Sequence, residues 1–247
     1  MTSTWFLGDI HGCAEELAEL LERIEGGPGT RIISLGDLYH RGPDPHGVAQ
    51  LLSARDDVEL VFGNHELVLL RRSGMVPVGP DGKIQVLDEG AGGYDADDLR
   101  GDGGTVLRNI DPERSIELLR FLERGVFCMR GEAEQGPFRG QPWLAVHAGI
   151  IPGQVPEQTP PMELTHVRQI GRWRKRYWYE NYDGPEMVIF GHTTFQVPRR
   201  QEAHGRLVAH GLDTACVYGG CLTAWRLEDD EYEVVPAKKA WARELRD

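Results

Sequence analysis

Five short apolar runs, each ending beside a glycine and a ligand-type side chain, constrain this sequence more than any other feature. "TWFLGDIH" leads to Asp9 and His11, "RIISLGD" to Asp37, and "VELVFGNHE" to Asn64 and His65. Later, "PWLAVHAG" reaches His147 and "EMVIFGHT" reaches His192. Continuous stretches rich in Val, Ile, Leu and Phe read as strands buried on both faces. Helical patterns separate the first three. "CAEELAELLERI" (13–24) puts Ala14, Leu17, Leu20, Leu21 and Ile24 on one face and glutamates on the other, and "HGVAQLLSA" carries a shorter apolar patch. Strand, helix, strand, helix, strand implies right-handed crossovers and a parallel sheet. Sites in such sheets form beyond the carboxyl ends of the strands, so all five clusters are expected on one edge.

The ligand-type residues are Asp9, His11, Asp37, Asn64, His147 and His192. Carboxylate, imidazole and amide oxygen without thiolate suit a divalent ion such as manganese, iron or zinc. Six ligands are too many for one ion with an open position, but they suit two ions that share a bridging carboxylate. Such pairs stand about 3.5–4 Å apart, clamp a phosphoryl group and acidify a bound water. The charge balance agrees. With 39 acids against 27 basic residues the net charge is −12, which argues against a nucleic-acid scaffold and repels a phosphate ester. Bound cations would supply the missing local attraction. Any single "GD" or "GH" after a strand is commonplace; five in one chain are not.

The remaining sequence bounds the architecture. A chain of 247 residues can bury a sizeable core, and no repeat or linker divides it, so one domain over 1–247 is expected. No run approaches the roughly 18 apolar residues of a membrane span. "MTSTWFLGDIHG" lacks a basic region or cleavage-like site, and Cys13, Cys128, Cys216 and Cys221 show no CxxC pairing. Buried free thiols in a reducing cytoplasm are expected. Residues 73–110, rich in Gly and Asp, read as an insertion over the site. "DPERSIELLRFLERG" then reads as a helix with Asp111 as N-cap, Pro112 in the first turn and Gly125 past the end. "VFCMRGEAEQGPFRGQPWLAVHA" and "LTAWRLEDDEYEVVPA" read as β-hairpins, with residues 228–231 a solvated turn. In "LTHVRQIGRWRKRYWYENY" (164–182), Arg168, Arg172 and Arg176 recur at helical spacing. One face could hold a second phosphate while an aromatic ring stacks on a base. The plainer reading is a surface helix with packed aromatics and paired arginines, such as Arg176 with Glu180.

"GDIHG" (8–12), "GDLYHRG" (36–42), "GNHE" (63–66), "HAG" (147–149) and "GHT" (191–193), in that order, resemble the signature blocks of the phosphoprotein-phosphatase-type, calcineurin-like metallophosphoesterases. The resemblance covers nearly the whole chain apart from residues 73–110. It implies an α/β fold: a sandwich of two mixed β-sheets flanked by helices, with a dimetal site at the carboxyl ends of the strands. Carried over by position, Asp9 and His11 would bind the first ion, Asp37 would bridge, and Asn64, His147 and His192 would complete the second. His65 would be the general acid and Arg41 would grip the phosphate, for which a guanidinium fork is suited. His46, His166, His204 and His210 match no block and are left as structural or exposed.

The stretch "GLDTACVYGGCLTAWRL" (211–227) bears on the substrate class: it is similar to bacterial members, including the symmetrical diadenosine tetraphosphatases and some small bacterial protein phosphatases, with Ala215 where many of those have glycine. The SAPNYC-like loop of eukaryotic protein phosphatases is absent. "GDGGTVL" (101–107) resembles a glycine-pair segment of nucleotide-cleaving members, with Asp102 in place of Asn. "LTHVR" sits where bacterial relatives place a phosphate-contacting arginine, which singles out Arg168. A dinucleoside polyphosphate or other nucleotide is therefore the expected substrate, hydrolysed by hydroxide from the metal centre with His65 as acid. The alternatives are a bacterial protein serine/threonine phosphatase acting on a phosphoprotein, and an inactive regulatory or binding protein. The filled ligand set opposes the latter. In the protein-phosphatase form of the second block, an aspartate stands at the place of His40 and pairs with the catalytic histidine. His40 offers no such charge, so a lower pH optimum is expected.

Overall fold

The first part of the chain alternates β1 (Ser3–Leu7), α1 (Ala14–Arg23), β2 (Thr30–Ser34), α2 (Pro45–Ser53), β3 (Val58–Val61) and α3 (Asn64–Arg72). The structure, a computed structural model, describes residues 3–24, 29–78, 82–86, 114–172 and 174–243. β1, β2 and β3 pair in parallel, as the alternation predicts. The expected apolar face of α1 is buried, with Leu17 and Leu20 fully enclosed. Its acidic face is not uniform. Glu16 is buried too, because its Oε1 accepts a hydrogen bond from the Lys238 backbone N–H at 2.8 Å. α2 begins at Pro45 behind Asp44, whose carboxylate accepts from Gly47 N at 2.8 Å, an N-cap of the kind worth about 1 kcal/mol.

The five apolar runs divide between two sheets rather than lining one. After α3 come a hairpin, β4 (Met75–Val78) with β5 (Lys83–Val86), then α4 (Ser115–Leu122), β6 (Gly125–Val126), β7 (Cys128–Glu132) and β8 (Pro142–Val146). The hairpin occupies the start of the stretch read as an unpatterned insertion. Residues 87–113 lie outside the described residues, and with them "GDGGTVL", the expected N-cap Asp111 and the first-turn Pro112. α5 (Pro161–His166), β9 (Gln169–Ile170), β10 (Arg176–Tyr177), β11 (Met187–Phe190), β12 (Arg199–Ala203), β13 (Arg206–Gly211), β14 (Cys221–Arg226) and β15 (Glu231–Pro236) follow. One sheet has the order β15-β14-β1-β2-β3-β6, the other β12-β13-β11-β8-β7. Both are mixed: β8, β11 and β13 run parallel, while β7, β12, β14 and β15 pair antiparallel.

Alternation along each strand explains the layering. Phe6, Ile33 and Val61 of the first sheet pack with Trp143, Ala145, Met187 and Ile189 of the second, and Phe6 meets Trp143 edge-on with 5.2 Å between centroids. Leu7, Ile32 and Leu60 point the other way, into a cluster with Leu17, Leu20, Val48 and Leu52 of α1 and α2. Strands covered on both faces lose polar alternation, which is why they read as continuous apolar runs.

Two expectations need correction. Arg168, Arg172 and Arg176 share no helix face. α5 stops at His166, Gly171 adopts a left-handed φ of 105°, and β9 and β10 form a hairpin that pairs Ile170 with Arg176. The acidic turn of the β14–β15 hairpin is not simply solvated. Asp230 Oδ1 accepts from Trp225 Nε1 at 2.8 Å and Arg200 Nη1 at 2.7 Å, and Glu228 Oε2 accepts from Thr4 N at 2.8 Å. Both expected hairpins, β7–β8 and β14–β15, are present. Among the described residues, no helix is long and apolar enough to cross a membrane.

Candidate active site

The carboxyl ends of β1, β2, β3, β8 and β11 deliver Asp9 and His11, Asp37, Asn64 and His65, His147, and His192 to one shared edge. All of these are buried except Asn64, which is half-buried. The local backbone is unusual. His11, Asp37, Arg41 and His192 hold φ of 49°, 53°, 78° and 62°, a region that residues with a Cβ seldom enter. Such strain persists where surrounding contacts over-determine it, and it gathers at functional sites. The flanking glycines have a steric reason: a Cβ on Gly63 would overlap Asp37 Oδ1, and one on Gly191 would overlap Asp9 Oδ1.

Asp37 is the centre of the cluster. Its Oδ2 lies 3.5 Å from His11 Nε2 and 3.8 Å from His65 Nε2, and its Oδ1 lies 3.4 Å from His147 Nε2. Oδ1 also accepts from His65 N at 3.1 Å. Two donor triads result, His11–Asp37–His65 and Asp37–His147–His192, each with its ligand atoms within 4.8 Å of one another. Donors bound at about 2.0–2.2 Å around a tetrahedral ion lie roughly 3.3–3.6 Å apart, which matches the gaps from Asp37 to His11 and His147, while the 3.8 Å gap to His65 is wider. His147 fits in its tautomer as well. Nδ1 donates to Leu35 O at 2.6 Å, so in the neutral ring Nε2 turns a lone pair toward Asp37 and toward Asn64 Oδ1, 3.1 Å away.

The electrostatics point to cations. Burial, Asp213 and Asp37 push Asp9 well above the usual carboxylate range, and burial lifts Asp213 to about 6. Asp37 is held low despite its burial, by His147 and His65, and Asp37 in turn outweighs the burial of His147 and raises it. Burial lowers His11 to about 3 and depresses His65 and His192 strongly. Buried carboxylates that repel one another, beside the imidazoles of His11, His65 and His192 that burial keeps neutral, form an environment a divalent ion neutralises.

Other predicted residues take up related places. Asp9 is in neither triad; both its oxygens accept from His192 N, at 3.2 and 3.0 Å. Arg41 is half-buried with Nη1 3.3 Å from His11 Nε2. His40 Nδ1 and His65 Nδ1 are 2.7 Å apart, so one proton lies between two rings. Arg168 is exposed at the rim and donates from Nη2 to His192 O at 3.2 Å. His46 and His210 are buried and His204 is exposed, as expected. His166, although exposed, belongs to the rim, its ring 6.2 Å from that of His192. All four cysteines are free; Cys13 and Cys216 are buried, and Cys128 and Cys221 half-buried.

Sequence reasoning missed two carboxylates. Glu66, fully buried, accepts three backbone N–H groups: Asp37 N at 2.7 Å and Gly63 N at 2.9 Å on Oε2, and Leu38 N at 2.8 Å on Oε1. As the third residue of α3 it reaches back to the cap position, the signal that an acid at N3 carries. Burial and Asp37 raise it to about 7. Asp213 follows β13 and accepts from Ala215 N at 2.9 Å. "RLVAHGLD" is a further apolar run ending in glycine and an acid, so the pattern of the other five would have found it.

Comparison with known proteins places the chain among phosphoesterases. A bis(5'-nucleosyl)-tetraphosphatase, symmetrical, of Citrobacter koseri is 28% identical, covering 96% of this chain and 95% of that protein. A solved structure provisionally assigned as a diadenosine tetraphosphatase shares the fold with a TM-score of 0.66 at 23% identity, covering 96% of this chain and 94% of that one. A metallophosphoesterase from Sphaerobacter thermophilus shares it with a TM-score of 0.52 at 15% identity, covering 96% and 88%. The sequence model of the calcineurin-like phosphoesterases matches residues 2–195, a span that contains all five blocks. The chain belongs to the calcineurin-like phosphoesterase family.

Proposed function

We propose that this chain is a divalent-metal-dependent hydrolase of dinucleoside polyphosphates of the diadenosine tetraphosphate type, working as one catalytic domain. The observation that carries the reading is the place of Asp37 in both donor triads, at the edge where the five strands end. The substrate class rests on relatives named symmetrical bis(5'-nucleosyl)-tetraphosphatases that match along nearly their full length. Asp9, His11 and Asp37 are assigned to one ion, and Asp37, Asn64, His147 and His192 to a second. Manganese, iron and zinc all suit this thiolate-free set of carboxylate, amide and imidazole, and manganese is the ion assigned to it here. When bound, such ions supply Lewis acidity at the phosphate oxygens and acidify water. The four free thiols favour a reducing, cytoplasmic location.

The chain's own residues do the rest. Arg41 binds the phosphate under attack, and Arg168 at the rim is placed to meet a second phosphate of a polyphosphate chain. His65 delivers the proton to the leaving oxygen from Nε2, the nitrogen that faces Asp37, while Nδ1 is tied to His40. His40 accepts that bond only as the Nε2–H tautomer, and it orients the ring without adding negative charge. A protonated His65 is therefore held less firmly than beside a carboxylate.

Parallel assays on diadenosine tetraphosphate and a phosphoserine peptide, with added manganese, test the substrate assignment. The expected result is a higher kcat/KM on the nucleotide, with two molecules of ADP as products. A higher kcat/KM on the peptide overturns it in favour of a protein phosphatase.

A further inference from the structure

We infer that Tyr218 is a positioning residue for Arg41, holding its guanidinium by a cation–π contact and aiming it at the phosphate. The inference rests on the reading of Arg41 as the phosphate-binding arginine. The Arg41 guanidinium carbon lies 5.6 Å from the centroid of the Tyr218 ring, within cation–π range. A cation–π contact takes none of the guanidinium N–H groups as a hydrogen-bond donor, and these are the groups a phosphate needs. The pairing joins two loops that sequence places far apart, one after β2 and one after β13.

The ring sits on a firmly held support. Tyr218 closes a short 3-10 turn, Cys216–Tyr218, whose entry residue Ala215 has a left-handed φ of 63°. Tyr218 N donates to Ala215 O at 3.0 Å, and Ala215 N donates to the buried Asp213 at 2.9 Å. Thr214 Oγ1 bonds Cys221 O at 2.7 Å and Thr223 Oγ1 at 2.6 Å, and Trp241 N and Ala242 N both donate to Val217 O, at 2.8 and 3.1 Å. Tyr218 itself stays half-buried. Arg41 has a backbone φ of 78° and its Nη1 lies 3.3 Å from His11 Nε2, so the ring adds a further constraint on the rotamers of the side chain.

The test is a double-mutant cycle on kcat/KM for an aryl phosphate with manganese. Tyr218→Leu keeps bulk and apolarity but loses the π face, and a loss of roughly 2- to 30-fold is expected. Tyr218→Phe and Tyr218→Trp keep a ring and should restore most of the activity. In an Arg41→Ala background, Tyr218→Leu should cost nothing further. An equal loss in both backgrounds means the ring acts through the fold alone and overturns the inference. Arg41→Ala impaired while Tyr218→Leu matches wild type overturns the inference but spares the reading of Arg41. Arg41→Ala with unchanged kcat/KM sinks both.

Discussion

Glu66→Gln probes the scaffold behind Asp37 without changing side-chain shape. The carboxylate serves three buried amides with two oxygens: Oε2 takes Asp37 N and Gly63 N, and Oε1 takes Leu38 N. Glutamine supplies one oxygen. If it keeps the Asp37–Gly63 pair, those two bonds lose their charge assistance, about 0.5–1.5 kcal/mol each. Leu38 N–H then faces an amide NH₂ and is orphaned at about 1–3 kcal/mol, for a total of about 2–6 kcal/mol. An opposing effect depends on the metal. Without cations, burial and Asp37 raise Glu66 from 4.5 to about 7, an electrostatic cost of about 3 kcal/mol at neutral pH that glutamine avoids. Cations at Asp37 remove much of that repulsion. Urea denaturation followed by tryptophan fluorescence should therefore show a destabilisation of about 2–6 kcal/mol with manganese and a clearly smaller one with chelator. Manganese affinity should fall about 10–100-fold as the support of Asp37 loosens. A variant within about 0.5 kcal/mol of wild type in manganese, with unchanged affinity, refutes the clamp.

His40→Asp places a carboxylate against His65 Nδ1, which stabilises the protonated ring. The alkaline limb of the pH–rate profile should then move up by about one unit or more, and an unmoved profile shows that the two rings are uncoupled. Chelation should lower the melting temperature, because mutually repelling buried carboxylates lose their counter-ions. Manganese at 100 times its Kd should restore about 2.7 kcal/mol for each site it fills, and a melting temperature indifferent to both means the cluster holds no ion.

The sequence made the site edge legible because each hand-off is local: an apolar run, a glycine that allows close approach, and a ligand-type residue. Asp37 and His192 show the consequence, arriving side by side from β2 and β11 although they lie far apart in the chain. The division into two sheets was not legible from periodicity, since β8 and β1 look alike until pairing partners are known. Glu66 escaped notice because its partners are backbone amides, which leave no pattern in side-chain spacing. Arg168, Arg172 and Arg176 misled through helical spacing alone; Gly171 between them was the breaker, and the structure uses it at a left-handed φ.

In the proposed hydrolysis, Asp37 joins the two cation positions on which turnover depends. Turnover of an aryl phosphate by Asp37→Asn across a manganese titration tests it most directly. The variant removes one negative charge from both donor triads while keeping their shape, so hydrolysis should stay at background at every concentration. Turnover matching wild type at saturating manganese would contradict the account.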